Sequence, residues 1–278
     1  MTDRETKEKR ILMTVKTYPT PSKNYVETVC TAGITEEGNW IRLYPVKFRH
    51  LSENQKFGVF TWITAQVTKT DGRDKRPESY RIETDSICID RKLDPQKDIE
   101  EKLRYLRPLI KYSVDEIDLE YQKDMTSLAL LKPKCMDDFI IERHETPDWT
   151  DEELTKLNQM DLFAKEDDRK ALKKVPYRFF AYFHCHDKNC PGHRKMITAW
   201  DFNWSYFIYR LNYSTENIAL QNLKEAWMKK FTEDKDGYLF LGTTHPYPSF
   251  ITIGYFSYPL SYIKESNNHI FEQMSLFV

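Results

Sequence analysis

The chain has 278 residues, a formal net charge of −1, 40% hydrophobic and 14% aromatic residues, a composition that buries a sizeable core and excludes disorder as the main state. A near-neutral balance supplies no global field toward nucleic acid, and no apolar run approaches the ~18 residues of a membrane span. The charged opening MTDRETKEKR and an odd Cys count, 5, with two of them beside histidines, argue against a secretory leader and a disulfide framework, so the cytoplasm is the expected compartment.

Residues 1–9 read as a frayed leader, and Ile11 to Lys16 as a short strand ended by Pro19 and Pro21. Tyr25 to Ile34 and Trp40 to Tyr44 read as a hairpin turned at Glu36-Glu37-Gly38-Asn39. Phe57 to Lys69 and Tyr80 to Ile89 are rich in β-branched and aromatic residues, with a charged loop, TDGRDKRPES, between them. These β segments predict a small twisted sheet or barrel over residues 10–93. Residues 94–278 then mix helices and strands, so the expected class is α+β, in two parts or one continuous domain.

Helices are expected from Asp94 onward, after Ser113 as N-cap, and over Thr150 to Phe163 with Thr150 capping. Trp200 to Leu211 and Glu216 to Phe231 have amphipathic helical spacing, whereas Leu128–Lys132, Phe139–Glu142, Val175–Phe183, Tyr238–Leu241 and Phe250–Phe256 read as extended.

Residues 183–193 read Phe-His-Cys-His-Asp-Lys-Asn-Cys-Pro-Gly-His. Cys185, Cys190 and His193, with Pro191-Gly192 turning the chain, form a tight knuckle of two thiolates and an imidazole, donors suited to one structural zinc ion. A closed tetrahedron needs a fourth donor: His186 on the same turn is preferred, with His184 and Cys135 as alternatives. Two local thiolates are too few for an iron–sulfur cluster. Arg169 to Lys195 carries eight Lys/Arg against one acid, Asp187, and suits a solvated face or a phosphate contact equally.

The N-terminal strands hold the polar residues Lys16, Ser22, Tyr25, Glu27, Arg42, Tyr44 and Arg49. Strand alternation puts Trp40, Arg42 and Tyr44 on one face, a set that either grips phosphate and stacks a base or forms a solvated outer face. The charged loop adds Asp74, Arg76, Glu78 and Arg81, as a salt bridge or as a general base beside guanidinium groups. Near the C-terminus, His245-Pro-Tyr-Pro-Ser249 is similar to the second motif of uracil-DNA glycosylases. Their water-activating Gly-Gln-Asp-Pro-Tyr turn and parallel-sheet pattern have no counterpart here, so His245 is kept only as a site candidate.

The strings VKTYPTPSKNYVETVCTAGI, WIRLYPVKFR, RPES, FHCHDKNCPGH and LGTTHPYPSFITIGYF resemble a group of bacterial proteins found in phage-defence neighbourhoods. That group includes DNA glycosylases that excise glucosylated hydroxymethylcytosine from phage DNA. The resemblance spans most of the chain and implies DNA as partner and base excision as activity. Such an enzyme flips the nucleotide out at a cost of a few kcal/mol. Tyr25, Trp40 and Tyr44 would supply walls, Lys16, Arg42, Arg49 and Arg76 phosphate donors, and Glu27, Asp74 or Glu78 the acting carboxylate. The competing expectation is a non-catalytic, zinc-stabilised reader of modified nucleic acid.

Overall fold

The computed structural model describes residues 5–22, 26–70, 74–158, 172–244 and 249–262. Strand β1 (Thr6–Lys16) starts before the apolar run, because Thr6 to Met13 pair antiparallel with β5 (Thr61–Lys69). Part of the expected frayed leader is therefore strand. A register shift between Met13 and Val15 lets the second half of β1 pair with β3 (Val26–Thr35), the bend that a bulge supplies. Between them, Thr20–Ser22 forms a short strand, β2, against β3.

Strand β3 turns at Gly38 (φ 85°) into β4 (Trp40–Val46), as the hairpin pattern predicts. β4 pairs in parallel with β6 (Ser79–Ile82), and β6 returns to β5. The order β1-β3-β4-β6-β5 thus closes on β1 and forms a five-stranded barrel-like ring. β7 (Cys88–Lys92) extends it at β5, so the expected single strand 80–89 is two strands separated by a turn. Ile11, Met13, Ile41, Leu43, Ile63, Ala65 and Val67 fill the ring, following the two-residue alternation of each strand.

Helix α1 (Ile99–Leu106) places Ile99, Leu103 and Leu106 on the outside of the barrel. Helix α2 (Val114–Asp124) is capped by Ser113, whose Oγ accepts from the Glu116 N–H at 3.0 Å. β8 (Ile110–Lys111) precedes it, and β9 (Leu128–Leu131) follows. All four residues of β9 are buried, because its sheet, ordered β14-β13-β9-β8, is covered on both faces. Leu128, Leu130 and Phe240 pack on the barrel's outer face with Leu12, Val15 and Ala32. Ala129, Leu131 and Leu241 pack the other way, against Phe139, Phe179 and Phe202. An unbroken apolar run is what such two-sided burial requires.

The third layer is β10 (Cys135–Arg143), β11 (Tyr177–His184) and β12 (His193–Met196), with α4 (Trp200–Asn212) and α5 (Glu216–Met228) beside it. Helix α3 (Asp151–Asn158) opens with a reciprocal capping box: the Glu153 N–H donates to Thr150 Oγ1 at 3.3 Å, and the Thr150 N–H donates to Glu153 Oε2 at 2.9 Å. β13 (Lys235–Thr243) and β14 (Phe250–Pro259) complete the middle sheet. The class is α+β, with a barrel-like N-terminal part and a mixed C-terminal part. Among the described residues no helix is long and apolar enough to cross a membrane.

Candidate functional site

Strands β11 and β12 are a hairpin whose loop, residues 185–192, brings Cys185, Cys190 and His193 together. The two sulfurs lie 3.4 Å apart, and His193 Nε2 is 3.2 Å from each. Gly192 permits this turn: its φ is 85°, and a Cβ there would lie 2.6 Å from the Tyr182 hydroxyl. Cys190 Sγ accepts from the Cys185 N–H at 3.3 Å, the kind of bond that orients a metal-binding thiolate. The group can hold a metal ion, and among the described residues it has three members.

Burial pushes the Cys185 thiol up to about 11, and its contact with the Asp187 carboxylate adds to this. Burial and the Lys195 charge lower His193 below its ordinary value, which keeps the imidazole neutral and able to coordinate. The preferred fourth ligand, His186, is outside the group: it is exposed and its ring meets Tyr112 edge-on at 5.4 Å. Asp187, which sequence reasoning passed over, touches Cys185 Sγ at 2.8 Å. The alternatives His184 and Cys135 form a separate set with Asp137, across the β10–β11 pair. There His184 Nδ1 is 2.8 Å from Asp137 Oδ2.

A second constellation sits between the barrel and the middle sheet. The parallel β4–β6 pairing sets Arg42 beside Ser79, and the Arg42 N–H donates to the Glu78 carbonyl at 2.7 Å. Both side chains then reach Ser127, the residue before β9. Arg42 Nη2 donates to the Ser127 carbonyl and hydroxyl oxygens, each at 3.0 Å. The Ser127 N–H donates to Glu78 Oε1 at 2.9 Å, and its hydroxyl donates to the same oxygen. Arg42 and Glu78 are each 4% exposed, and Arg42 Nε and Glu78 Oε2 are buried with no hydrogen-bond partner among the described residues. Gly242 opens the space, since a Cβ there would lie 3.3 Å from Arg42 Nη2 and 2.6 Å from Ile253 Cδ1.

Asp74 and Arg76 form the half-buried rim of this constellation. Arg76 Nε and Nη2 grip the two Asp74 oxygens at 2.7 and 2.6 Å. Burial alone would raise the Asp74 carboxyl, but these bonds and the Arg76 charge outweigh it and hold the group at about 2. Lys69 lies within electrostatic reach of both Asp74 and Glu78. The structure thus brings Arg42, Asp74, Arg76 and Glu78 together and adds Lys69 and Ser127, which sequence reasoning missed. The only sequence signal for Ser127 is that it is the polar residue directly before a fully apolar run.

Other candidates lie apart or beyond description. Trp40 meets Phe240 edge-on at 6.2 Å and belongs to the packing between barrel and middle sheet; it is not an open wall. Tyr44 stands two residues beyond Arg42 on the same strand and is 37% exposed. Arg49 is half-buried in the turn Phe48–His50. Lys16 is in a separate cleft, with Nζ 4.0 Å from the ring centre of Phe48 and 4.6 Å from that of Trp200. Ser22 lies on β2, in register with Val26, and Glu27 lies on β3, in register with Pro21. Tyr25 and His245 lie outside the described residues.

Three of the six described cations of the basic stretch are paired with acids. Lys174 pairs with Glu153 at 3.1 Å, while Arg194 and Arg178 share Glu142 at 2.6 and 3.8 Å. Arg169 and Lys170 lie outside the described residues.

No curated protein matches the chain. Residues 7–108 match a family described as a domain of unknown function, DUF8758. The match covers the barrel and α1, so it runs past the expected boundary at residue 93. A second family, also described as a domain of unknown function, matches residues 111–277, more than half of the chain. The protein is therefore a member of the DUF8757 family.

Proposed function

We propose that this protein is a DNA glycosylase that excises a modified, glucosylated cytosine, and that one zinc ion at Cys185, Cys190 and His193 fastens its C-terminal part. The observation that carries the first reading is the meeting of Arg42 from β4 with Asp74, Arg76 and Glu78 from the loop before β6 in one constellation. Both Asp74 oxygens are committed to Arg76. Glu78 Oε2 is the carboxylate oxygen without a partner among the described residues, and Glu78 is the acting group in this reading. It takes a proton from water as the hydroxide bonds to the anomeric carbon. The bond to the base nitrogen breaks, and its electron pair leaves with the base, which is then protonated. In this reading the half-buried Arg76 meets an adjacent phosphate, while Arg42, buried on Ser127, orients the residue that Glu78 also holds.

The zinc reading rests on the donor set. Two sulfurs and a nitrogen at 3.2 to 3.4 Å from one another are a few tenths of an ångström tighter than the ~3.5–3.8 Å spacing that tetrahedral Zn–S and Zn–N distances impose. All three donors belong to one hairpin loop, which suits a structural role. When bound, the ion holds the thiolates deprotonated; the chain's own part is to aim them.

A non-catalytic reader is favoured by one fact: Arg42 and Glu78 are almost wholly buried on Ser127, as a network that only joins two sheets would be. Incubation with DNA containing glucosylated hydroxymethylcytosine, followed by alkali cleavage at abasic sites, separates the two. The glycosylase reading expects cleavage by the native chain and none by a folded Glu78→Gln variant. DNA left intact by native protein, or cut equally by the variant, removes it.

A further inference from the structure

A cavity of about 400 Å³ lies where the barrel meets α4 and β14, away from both sites described above. Its charge is unusual for a half-closed space. Lys16 from β1, Lys92 from β7, Lys102 from α1 and Lys230 just after α5 all line it, and the only acid on its wall is Asp201. Four ammonium groups against one carboxylate repel one another, and chain folding alone gains nothing from gathering them.

None of the four makes an ion pair with a described carboxylate. Instead, the partners of Lys16, Lys102 and Lys230 are rings and carbonyls. Lys230 Nζ stands 5.1 Å from the ring centre of Tyr255 and 5.2 Å from that of Trp227, and Lys102 Nζ is 5.3 Å from that of Phe60. Lys102 Nζ also donates to the Asp94 carbonyl at 2.6 Å. Lys16, over Phe48 and Trp200, donates to the Phe57 carbonyl at 3.5 Å. Such contacts hold the cations in place without neutralising them. Burial, aided by the Lys92 charge and opposed by Asp201, lowers Lys16 to about 8. Burial likewise lowers Lys102, against the pull of Asp98, Asp94 and Glu101 behind the wall, and lowers Lys230, with Lys235 adding to the effect and Asp201 opposing it.

The first turn of α4 adds to this field. Ala199, Trp200 and Asp201 line the cavity, and the Ala199 cap offers no side-chain bond to the helix N–H groups. Those N–H groups and the positive helix end are complementary to an anion. A volume of about 400 Å³ is in the range of small-molecule sites. Trp200 and Phe60 offer apolar walls suited to a planar ring.

We propose that this cavity binds a free nucleoside di- or triphosphate, with Lys16, Lys92, Lys102 and Lys230 taking the phosphates and the aromatic wall taking the base. Four cations match the three to four negative charges of such a ligand, and one half-closed cavity suits a mononucleotide better than a continuous strand. The site is independent of the glycosylase reading and can fail or stand without it.

The test is calorimetric titration of the full chain with ATP and ADP at low salt, with pyrophosphate and a short single-stranded DNA as competitors. Saturable binding of both nucleotides is expected. It should weaken about tenfold in Lys230→Met and in Lys16→Met, the loss expected for one charge-assisted contact, and should stay unchanged in Glu78→Gln. Binding should also decline above pH 8, as Lys16 loses its proton. Circular dichroism shows whether each lysine variant is folded, and Lys230→Met, farther from the barrel interior, is the second line if Lys16→Met is not. No binding of either nucleotide at millimolar concentration overturns the proposal. So does binding that neither lysine variant alters, or binding of DNA alone, which would assign the cations to strand phosphates.

Discussion

Arg42 and Glu78 share Ser127: the guanidinium donates to its two oxygens at 3.0 Å, and the carboxylate accepts from its N–H at 2.9 Å. Their own backbones are joined at 2.7 Å across parallel strands. Arg42→Met would leave the Glu78 carboxylate buried without its compensating charge, an error that costs about 3–5 kcal/mol. Glu78→Gln keeps an acceptor for Ser127 and should cost less, about 1–2 kcal/mol. Urea denaturation of the two variants checks the order; equal losses would mean that the charge of the network is immaterial to folding.

Acid should loosen the same region through Asp74. Its carboxyl, held at about 2 against an ordinary value of 3.8, has a folded pKa below the unfolded one. The stability it contributes is therefore complete above about pH 4 and is lost as pH falls toward 2. Native protein should lose more stability over that window than Asp74→Asn, measured by denaturant midpoints at each pH. Parallel curves would show that Arg76 does not hold the carboxylate in solution.

Removing the metal should unfold the hairpin loop. One equivalent of zinc is expected in purified protein. A chelator or Cys190→Ser should lower Tm by several degrees, because metal binding and folding are coupled. His186→Ala should leave the zinc content unchanged, since that ring packs on Tyr112 and stands outside the ligand group. Loss of zinc in His186→Ala, measured by atomic absorption, would return His186 to the coordination sphere.

Gly192 and Gly38 share φ 85° but not surroundings. Alanine at Gly38 meets nothing within 4 Å and should cost only the left-handed strain, about 1–2 kcal/mol. At Gly192 the new Cβ would also press on the Tyr182 hydroxyl at 2.6 Å, so the loss should be larger and zinc content should fall. Denaturation midpoints of the two alanine variants settle the comparison.

Most of the longer elements and the three-residue metal group were legible before any coordinates, because both rest on local spacing, whereas the short strands β2, β8 and β12 were not. Ser113 and Thr150 cap their helices as read, and three donors within nine residues converge once a hairpin closes around them. Alternation likewise put Trp40 and Arg42 on one face of β4, but it could not say what covers that face. The middle sheet does, and it turns an expected stacking wall into packing against Phe240. Only the tertiary structure chose between neighbours: it turned His186 away from the thiols, took both Asp74 oxygens with Arg76, and left one Glu78 oxygen alone. It also gathered Lys16, Lys92, Lys102 and Lys230 from distant segments. Local spacing determines what a turn or a strand face presents. Long-range meetings depend on how the barrel closes and which layer lies over it, and those choices belong to the whole chain.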